Sequence, residues 1–560
     1  MNSMLSTLIC PTNLRARCHY LIPLTLTFRS MCGIWAVFGL PDGLCPRCIK
    51  SFSAINHRGP DAWRIEQDAR VPTALLGFQR LAIVDGLYGM QPMKLHLYPK
   101  TSLICNGEIY NCKRLKKQYD FPYETNCDVE AIIHLYHTQG IDKTVRNLDG
   151  VFAFCILDAE NQKVFIARDP YGVRPLFTLV DEEKGFLGLC SEAKGLVHLK
   201  ENLTQTSTLG QFPPGHFQVW NVLPNGKVKL ERTERYFKPG DLTLSLPFVP
   251  EDSLKNLTVY EKTAYLLEEA CRKRLMSDRR IGCLLSGGLD SSLITAMVVK
   301  LAKEINLPYT IQTFAIGMGT SPDLIAARTV AKHLGTEHHE VIFDENDVKK
   351  VLDHVIYHLE AFDITTIRAS TPMYILAKYI KEKTDTTVIF SGEGADELAQ
   401  GYIYFRDAPS PQLGHEESIR LLSDIYLYDG LRADRTTSAF SLELRVIDPK
   451  LRQPQEGVEK YLLRYSFTSS DLLPKEILWR HKEAFSDGVA SVKKSLFETI
   501  AEIVAERCPK EDIDFKGTKP YTDESKYYRY VFEKSYPEHG GTAPDQQTGY
   551  HCLPLLKCTR

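Results

Sequence analysis

Ile281-Gly282-Cys283-Leu284-Leu285-Ser286-Gly287-Gly288-Leu289-Asp290-Ser291-Ser292, running on into Leu293-Ile294-Thr295-Ala296-Met297-Val298-Val299-Lys300, is the stretch on which the fold of this 560-residue chain turns. Its first five residues are apolar enough for a short buried parallel strand, and its last eight keep helical spacing with no breaker. Strand, glycine turn and helix make a phosphate cradle. The glycines let the backbone approach an anion closely, and the helix N-terminus adds its free N–H groups and positive dipole. Asp290 at the tip can hold a Mg²⁺ shared with phosphate oxygens. No Gly-Lys-Ser/Thr follows at the spacing of a Walker loop. A bare Ser-Gly-Gly would suit any strand–helix turn; the seven-residue string behind an apolar strand favours the cradle.

The pattern recurs downstream. Thr313-Phe314-Ala315-Ile316-Gly317 precedes Ser321-Pro322-Asp323, and Val388-Ile389-Phe390 runs into Ser391-Gly392-Glu393-Gly394-Ala395-Asp396-Glu397. Strands alternating with helical segments predict a parallel sheet with ligands at its carboxyl ends. Ser286 to Ser292 resembles the pyrophosphate loop of ATP pyrophosphatases, which cut ATP between its α and β phosphates. That resemblance implies phosphate contacts from Ser286, Gly287, Gly288, Asp290 and Ser291. Leu284, Ile316, Ser391 and Gly392 would frame the adenosine, and Asp290 with Asp396 would hold Mg²⁺. Lys482, inside Trp479-Arg480-His481-Lys482-Glu483-Ala484-Phe485-Ser486-Asp487-Gly488, would neutralise pyrophosphate as its charge develops.

Upstream, Met31-Cys32-Gly33-Ile34-Trp35 reads as a start. With Met31 as a removed initiator, Cys32 carries both a thiol and an α-amine that titrates near neutrality and can serve as its own general base. This resembles the N-terminal-nucleophile glutaminase domain of class II glutamine amidotransferases. His57-Arg58-Gly59-Pro60-Asp61, Arg80-Leu81-Ala82-Ile83-Val84-Asp85, Asn106-Gly107-Glu108-Ile109-Tyr110-Asn111 and Asp128 continue the match in order. The resemblance implies that Arg80 clamps the glutamine α-carboxylate, beside Leu81, Ala82, Ile83 and Val84, and that Glu108 and Asp128 take its α-ammonium. Asn106 and the Gly107 N–H would form an oxyanion hole. Read singly, Arg80 also suits a surface ion pair, Asn106-Gly107 a hairpin turn and Asp128 a helix cap. Arg168 to Leu176 and Ser191-Glu192-Ala193-Lys194 also match, and are assigned to scaffold and domain contact rather than chemistry.

The bulk numbers fit a soluble, multidomain globular chain. Length suggests about three or four domains, or fewer and larger ones. Apolar residues make up 43% and charged residues 25%, and 68 basic against 70 acidic side chains leave a net charge of −2. No nucleic-acid footprint stands out, and no run reaches the roughly 20 apolar residues of a membrane span. Arg272-Lys273-Arg274 with Arg279-Arg280 reads as a solvated helix end, with a nuclear signal as the rarer alternative. The 15 cysteines lack the dense spacing of a secreted disulfide scaffold. Cys45-Pro46-Arg47-Cys48 is a lone C-x-x-C; zinc would need a second ligand pair, so it reads as reduced thiols near a turn.

Five segments follow. Residues 1–31 are a leader or an upstream start: Arg15, Arg17 and Arg29 with no acidic residue also suit a transit peptide. Residues 32–236 are the glutaminase domain, an α+β fold of layered antiparallel sheets with helices. Residues 237–252, with Pro239, Gly240, Pro247 and Pro250, are a linker, and 253–537 are the α/β ATP-pyrophosphatase domain with its parallel sheet. Residues 538–560 are an atypical tail. The two halves together resemble the glutamine-hydrolysing asparagine synthetase family, and Arg432-Ala433-Asp434-Arg435-Thr436-Thr437 resembles its eukaryotic branch.

That resemblance implies a ligase with glutamine, aspartate and ATP as small-molecule substrates and Mg²⁺ as cofactor. Cys32 releases ammonia from glutamine; aspartate attacks the ATP α-phosphate to give β-aspartyl-AMP and pyrophosphate; ammonia then displaces AMP. Glu393 is the candidate for assisting the adenylate and the ammonia proton, or for binding Mg²⁺. No nucleic-acid or membrane partner is expected, a homodimer is the candidate assembly, and the compartment is the cytoplasm, or the mitochondrion if residues 1–30 are a transit peptide. Three features depart from the family. Cys32 is internal as written, Ile447-Asp448-Pro449 follows Glu443-Leu444-Arg445-Val446 where relatives carry a longer segment, and the last twenty or so residues differ. They leave an ammonia-only synthetase or a non-catalytic isoform as alternatives, and another amidotransferase built from the same halves, such as a β-lactam-forming synthetase, as a rival.

Overall fold

The computed structural model describes residues 7–11, 31–40, 43–241, 251–436, 448–482, 488–490, 494–511, 513–515 and 519–536. The junction after Val446, the string at 483–487, the linker residues 242–250 and the tail at 538–560 lie outside the described residues. The chain divides into two compact units, Met1–Leu246 and Pro247–Arg560.

The first unit stacks two antiparallel sheets. One runs Thr7–Pro11, Ala62–Gln67, Leu75–Arg80, Gly33–Phe38, Phe186–Cys190, Phe177–Asp181, Thr208–Gln211. The other runs Val228–Arg235, His216–Val222, Lys163–Arg168, Gly150–Asp158, Tyr98–Ile109, Met93–Leu95. Period-2 alternation builds the layer between them. Ile34, Ala36, Phe38, Leu76 and Phe78 from one sheet meet Ile104, Ala153, Cys155, Leu157 and Ile166 from the other, all buried. Each large apolar side chain so buried contributes roughly 1.5–3 kcal/mol against leaving it exposed.

Every residue of Gly33–Phe38 is buried because its second face is covered too. Trp35 on that face donates Nε1–H to Ser51 Oγ (3.1 Å) and Gly195 O (3.0 Å), and its ring meets Phe52 edge-on at 5.9 Å. Ser51 and Phe52 belong to the helix Pro46–Ser53, and Gly195 to the helix Lys194–Lys200. Within residues 1–31, Thr7–Pro11 pairs with Ala62–Gln67 at the edge of the first sheet, in register from Thr7 opposite Glu66 to Pro11 opposite Ala62.

The second unit is built on a four-stranded parallel sheet in the order Glu337–Ile342, Gln312–Gly317, Ile281–Leu284, Val388–Phe390. The helices Leu289–Glu304 and Pro322–Leu334 connect the first three strands in sequence, and Glu345–Leu359 with Ile364–Lys383 leads to the last. Chain order steps outward from Ile281–Leu284 to one side and then returns to its other side with Val388–Phe390. The topological switch point therefore lies between those two strands, where the connections diverge and leave a crevice at the carboxyl ends. The antiparallel sheets of the first unit are what the resemblance implied, and the parallel sheet of the second is what its alternating strands and helical segments predicted.

Candidate active sites

In the first unit Cys32 immediately precedes the strand Gly33–Phe38, and its neighbours converge on it from three other segments. Leu81, just past the strand Leu75–Arg80, holds the thiol with its backbone: Cys32 Sγ donates to Leu81 O at 3.3 Å, and Leu81 N–H points back at Sγ from 3.4 Å. Arg58 Nε donates to Cys32 O at 2.9 Å. With its amide oriented to satisfy both neighbours, Asn106 Nδ2 donates to the same carbonyl at 3.0 Å and Asn106 Oδ1 accepts from Arg58 Nη2 at 3.2 Å. Burial pushes the Cys32 thiol up to about 11, against the opposing Leu81 hydrogen bond. The thiol is thus protonated near neutrality and needs a base before it can attack.

Asn106 and Gly107 sit inside the strand Tyr98–Ile109, paired with Ala153 and Phe152, so the hairpin-turn reading of this dipeptide is wrong. A Cβ on Gly107 would lie 2.1 Å from Val151 O; glycine is required there by the neighbouring strand. Arg80 is buried, and its guanidinium donates to the carbonyls of Gly86 (3.0 Å) and Asp85. It is therefore no surface ion pair, and it stiffens the loop carrying Ala82, Ile83 and Val84. Ala82 N–H is held by Asp61 Oδ2 at 2.8 Å.

Glu108 Oε2 pairs with Arg174 at 2.7 Å. Asp128 is buried, accepts Ile109 N–H at 2.6 Å, and precedes the helix Glu130–Asn147 without being its N-cap. Burial pushes the Asp128 carboxyl up to about 7; the Ile109 hydrogen bond opposes this and the Glu108 charge adds to it. The Glu108 and Asp128 carboxyls lie near enough for the charge of one to act on the other.

Two motifs assigned to scaffold reach the site directly. Glu192, fully buried, accepts from Arg58 Nη1 (2.9 Å), His57 Nε2 (3.0 Å) and Lys194 Nζ. It thereby fixes the guanidinium that holds the Cys32 carbonyl. Arg174 does the same for Glu108. Their spacing in the chain carries no trace of this, since 134 residues separate Arg58 from Glu192.

In the second unit a cavity of about 530 Å³ opens at the switch point. Leu284, Ser286, Gly288, Asp290, Ser291, Ile316, Ser391, Gly392, Glu393, Asp396 and Lys482 all line it. Gly287 is the exception among the named residues. Its φ of +76° makes the turn, and an added Cβ would sit 2.5 Å from the Ala326 backbone, so its role is to let the loop lie against the helix Pro322–Leu334. The helix Leu289–Glu304 begins at Gly288 with no side-chain cap, whereas Thr258, Ser321, Asp344 and Asp363 each cap their own helices. Uncapped N–H groups facing a cavity suit an anion.

Charges in the cavity are arranged in pairs. Lys482 Nζ donates to both oxygens of Asp396 at 2.7 Å, and Glu393 pairs with Arg432 from the helix Asp429–Thr436. The residue the sequence did not disclose is Lys460. Only 3% of its side chain is exposed, it has a left-handed φ of +55°, and its ammonium bridges Asp290 Oδ2 and Asp396 Oδ1, the latter at 2.6 Å. Lys482 also reaches this centre through its backbone, donating N–H to Glu459 Oε1 at 3.0 Å. Despite burial, which lowers the Lys460 amine, the two carboxylates hold it well above the ordinary lysine value.

Asp290 Oδ1 is buried with no hydrogen-bond partner among the described residues. No cluster of three or more potential metal-ligating side chains occurs among them. Two carboxylates with one orphaned oxygen fit Mg²⁺, which takes one or two protein carboxylates and completes its shell with phosphate oxygens and water.

Residues 31–221 match the glutamine amidotransferase domain family, and residues 262–414 and 406–554 match asparagine synthase. The chain is 51% identical over 539 residues to the glutamine-hydrolysing asparagine synthetase of Gallus gallus, using 92% of this chain and 95% of that protein. It is 51% identical over 532 residues to the enzyme of the same name from Rattus norvegicus, covering 90% and 94%. The likeness to a solved glutamine phosphoribosylpyrophosphate amidotransferase from B. subtilis is loose, with a TM-score of 0.29 and 18% identity over 50% of this chain and 65% of that one. An amidotransferase-type first unit, a switch-point cavity in the second, and half of all residues shared along nine-tenths of the chain lead to one assignment: this protein belongs to the glutamine-hydrolysing asparagine synthetase family.

Proposed function

We propose that this chain makes asparagine from aspartate in an ATP-dependent reaction with glutamine as nitrogen donor. Residues 32–236 hydrolyse glutamine and residues 253–537 activate aspartate. The carrying observation is the switch-point cavity, where an uncapped helix N-terminus, two carboxylates and two lysines face the same space. In the first unit Arg80 takes the α-carboxylate of glutamine beside Leu81, and Glu108 with Asp128 takes its α-ammonium. Cys32 attacks the side-chain amide carbon, the oxyanion is received by Asn106 and the Gly107 N–H, and ammonia leaves. Water then releases glutamate.

In the second unit Leu284, Ile316, Ser391 and Gly392 frame the adenosine, and Ser286, Gly288 and Ser291 receive phosphate oxygens. An aspartate side-chain oxygen forms a bond to the α-phosphorus as the bond to pyrophosphate breaks. Lys482 and Lys460 meet the charge that builds on the leaving group. Ammonia then attacks the acyl carbon and AMP departs, with Glu393 placed to take the proton. Asp290 and Asp396 would hold Mg²⁺, which supplies charge neutralisation to the phosphates. The cytoplasm as compartment and a homodimer as assembly come with the family resemblance.

The test is product formation by the purified chain with either glutamine or ammonium as nitrogen source, alongside aspartate-dependent pyrophosphate release. Asparagine from both sources supports the reading. Asparagine from ammonium alone would place the chain among ammonia-only synthetases, and pyrophosphate release independent of aspartate would point to a different amidotransferase.

Asp128 adds a pH signature. Protonation below about pH 7 removes the negative charge facing the substrate ammonium, so kcat/KM for glutamine should fall as pH drops through that value. Asp128→Asn should raise KM about 10–100-fold, the worth of one charge-assisted hydrogen bond, and flatten this limb of the profile. An unchanged acid limb in the variant would remove Asp128 from the site.

A further inference from the structure

We propose that Cys45 and Cys48 form a thiol–disulfide couple, a modification site apart from both candidate active sites, that closes by exchange with small disulfides of the glutathione type. Cys45 is the N-cap residue of the helix Pro46–Ser53, in extended conformation, and its side chain makes no cap hydrogen bond. It instead points at the thiol of Cys48, with 3.3 Å between the sulfurs. A disulfide needs about 2.05 Å, so the pair lacks only a further approach of about 1.3 Å, within reach of side-chain rotation at i, i+3. Cys45 is half-buried beside exposed Leu44 and Pro46, while Cys48 is fully buried, which gives an attacking thiol open to solvent and a resolving thiol behind it.

The electrostatics divide the roles in the same way. Partial burial raises the Cys45 thiol, but the nearby Cys48 and Arg47 amide groups, the Cys48 thiol and the Arg47 charge outweigh it and hold Cys45 below the ordinary range. Burial pushes Cys48 up to about 12. The other partly exposed thiols among the described residues are placed differently: Cys32 is held by the Leu81 backbone, and Cys508 faces the carbonyls of Pro509 and Asp523.

The exchange balances without further reactants. Cys45 thiolate attacks one sulfur of glutathione disulfide, forming a mixed disulfide as glutathione thiolate leaves. Cys48, giving up its proton, then attacks Cys45 sulfur, closing the protein disulfide and releasing a second glutathione. Two protein thiols are oxidised and one glutathione disulfide is reduced to two thiols. The helix so pinned carries Ser51 and Phe52 against Trp35 and runs on to Asn56–Arg58, whose Arg58 holds the Cys32 carbonyl.

The full-length chain, equilibrated in graded mixtures of reduced and oxidised glutathione, quenched in acid, denatured and alkylated, reads the couple directly by peptide mass. Cys45 and Cys48 should lose alkylation together, with a mass deficit of two hydrogens and no lasting glutathione adduct. Cys48→Ala should instead accumulate an adduct at Cys45, and Cys45→Ser should leave Cys48 free of any adduct at every ratio. A wild-type chain that stores a stable adduct on Cys45 with Cys48 still alkylatable overturns the proposal, as does one in which both thiols stay alkylatable throughout. Should Cys48→Ala fail to fold, the wild-type chain and Cys45→Ser, whose change is at the half-buried position, decide the matter.

Discussion

Cys32→Ala lowers glutamine-dependent asparagine formation at least about 1,000-fold while ammonium-dependent formation persists. Removing a nucleophile leaves only the residual rate supplied by binding and oxyanion contacts, so losses of this size or larger are expected. The fold should survive, because the thiol makes only weak hydrogen bonds to the Leu81 backbone and the carbonyl held by Arg58 remains. The same geometry predicts a dependence on the residue before Cys32. A thiol raised to about 11 is overwhelmingly protonated at neutral pH, and the Cys32 nitrogen, while joined to Met31, is an amide without basicity. An engineered chain whose first residue is Cys32 gains an amine that titrates near 8. It should hydrolyse glutamine about 10²–10⁴-fold faster than one that retains Met31, the usual worth of a positioned general base. Parallel assays of glutamate release by the three chains make the comparison. Equal rates with and without Met31 would mean that another group serves as base.

Lys482→Ala and Lys460→Met separate catalysis from cohesion in the second unit. Lys482 lies on Asp396 at 2.7 Å, is partly exposed, and in the proposed mechanism meets the developing phosphate charge. Its loss should cut aspartate-dependent pyrophosphate release about 10²–10³-fold, the range seen when one charge-stabilising donor is removed, and leave glutamate release unchanged. Lys460→Met should act on stability as well. Without the ammonium, Asp290 loses its counter-charge and Asp396 keeps only Lys482, and breaking a buried ion pair from one side costs about 3 kcal/mol or more.

The pH dependence follows from Asp396. Its burial would raise the carboxyl, but Lys460 and Lys482 outweigh that and hold it at about 2. A carboxyl depressed in the folded state adds stability above its unfolded value near 4 and loses it as pH falls toward 2. The gap between wild-type and Lys460→Met unfolding midpoints should accordingly be full above about pH 4 and shrink below it. A variant as stable as wild type at pH 7 would show that the lysine is not the counter-charge the geometry describes.

Much of this was legible without coordinates, for reasons of range. Ile281 to Lys300 discloses strand, turn and helix because every interaction that makes the cradle lies within one short segment, and Gly287 marks the positive φ that the turn requires. The recurrence of strand and loop at Gln312–Gly317 and Val388–Phe390 implied a parallel sheet. The Asn106-Gly107 dipeptide read equally well as a turn. Local propensity favours that outcome, and only pairing with Ala153 and Phe152 overrides it.

What chain order could express is the set of contiguous motifs: a thiol at 32, a phosphate loop at 286–292, a carboxylate loop at 391–397 and a lysine at 482. What it could not express is which distant charges meet. Glu192 beneath Arg58, Arg174 on Glu108, Arg432 on Glu393 and Lys460 between Asp290 and Asp396 are pairs 39 to 170 residues apart. Each member in isolation has the composition of an ordinary surface residue. Their pairing follows from which strand ends the sheet order brings together and from the burial that makes an unpaired charge intolerable there.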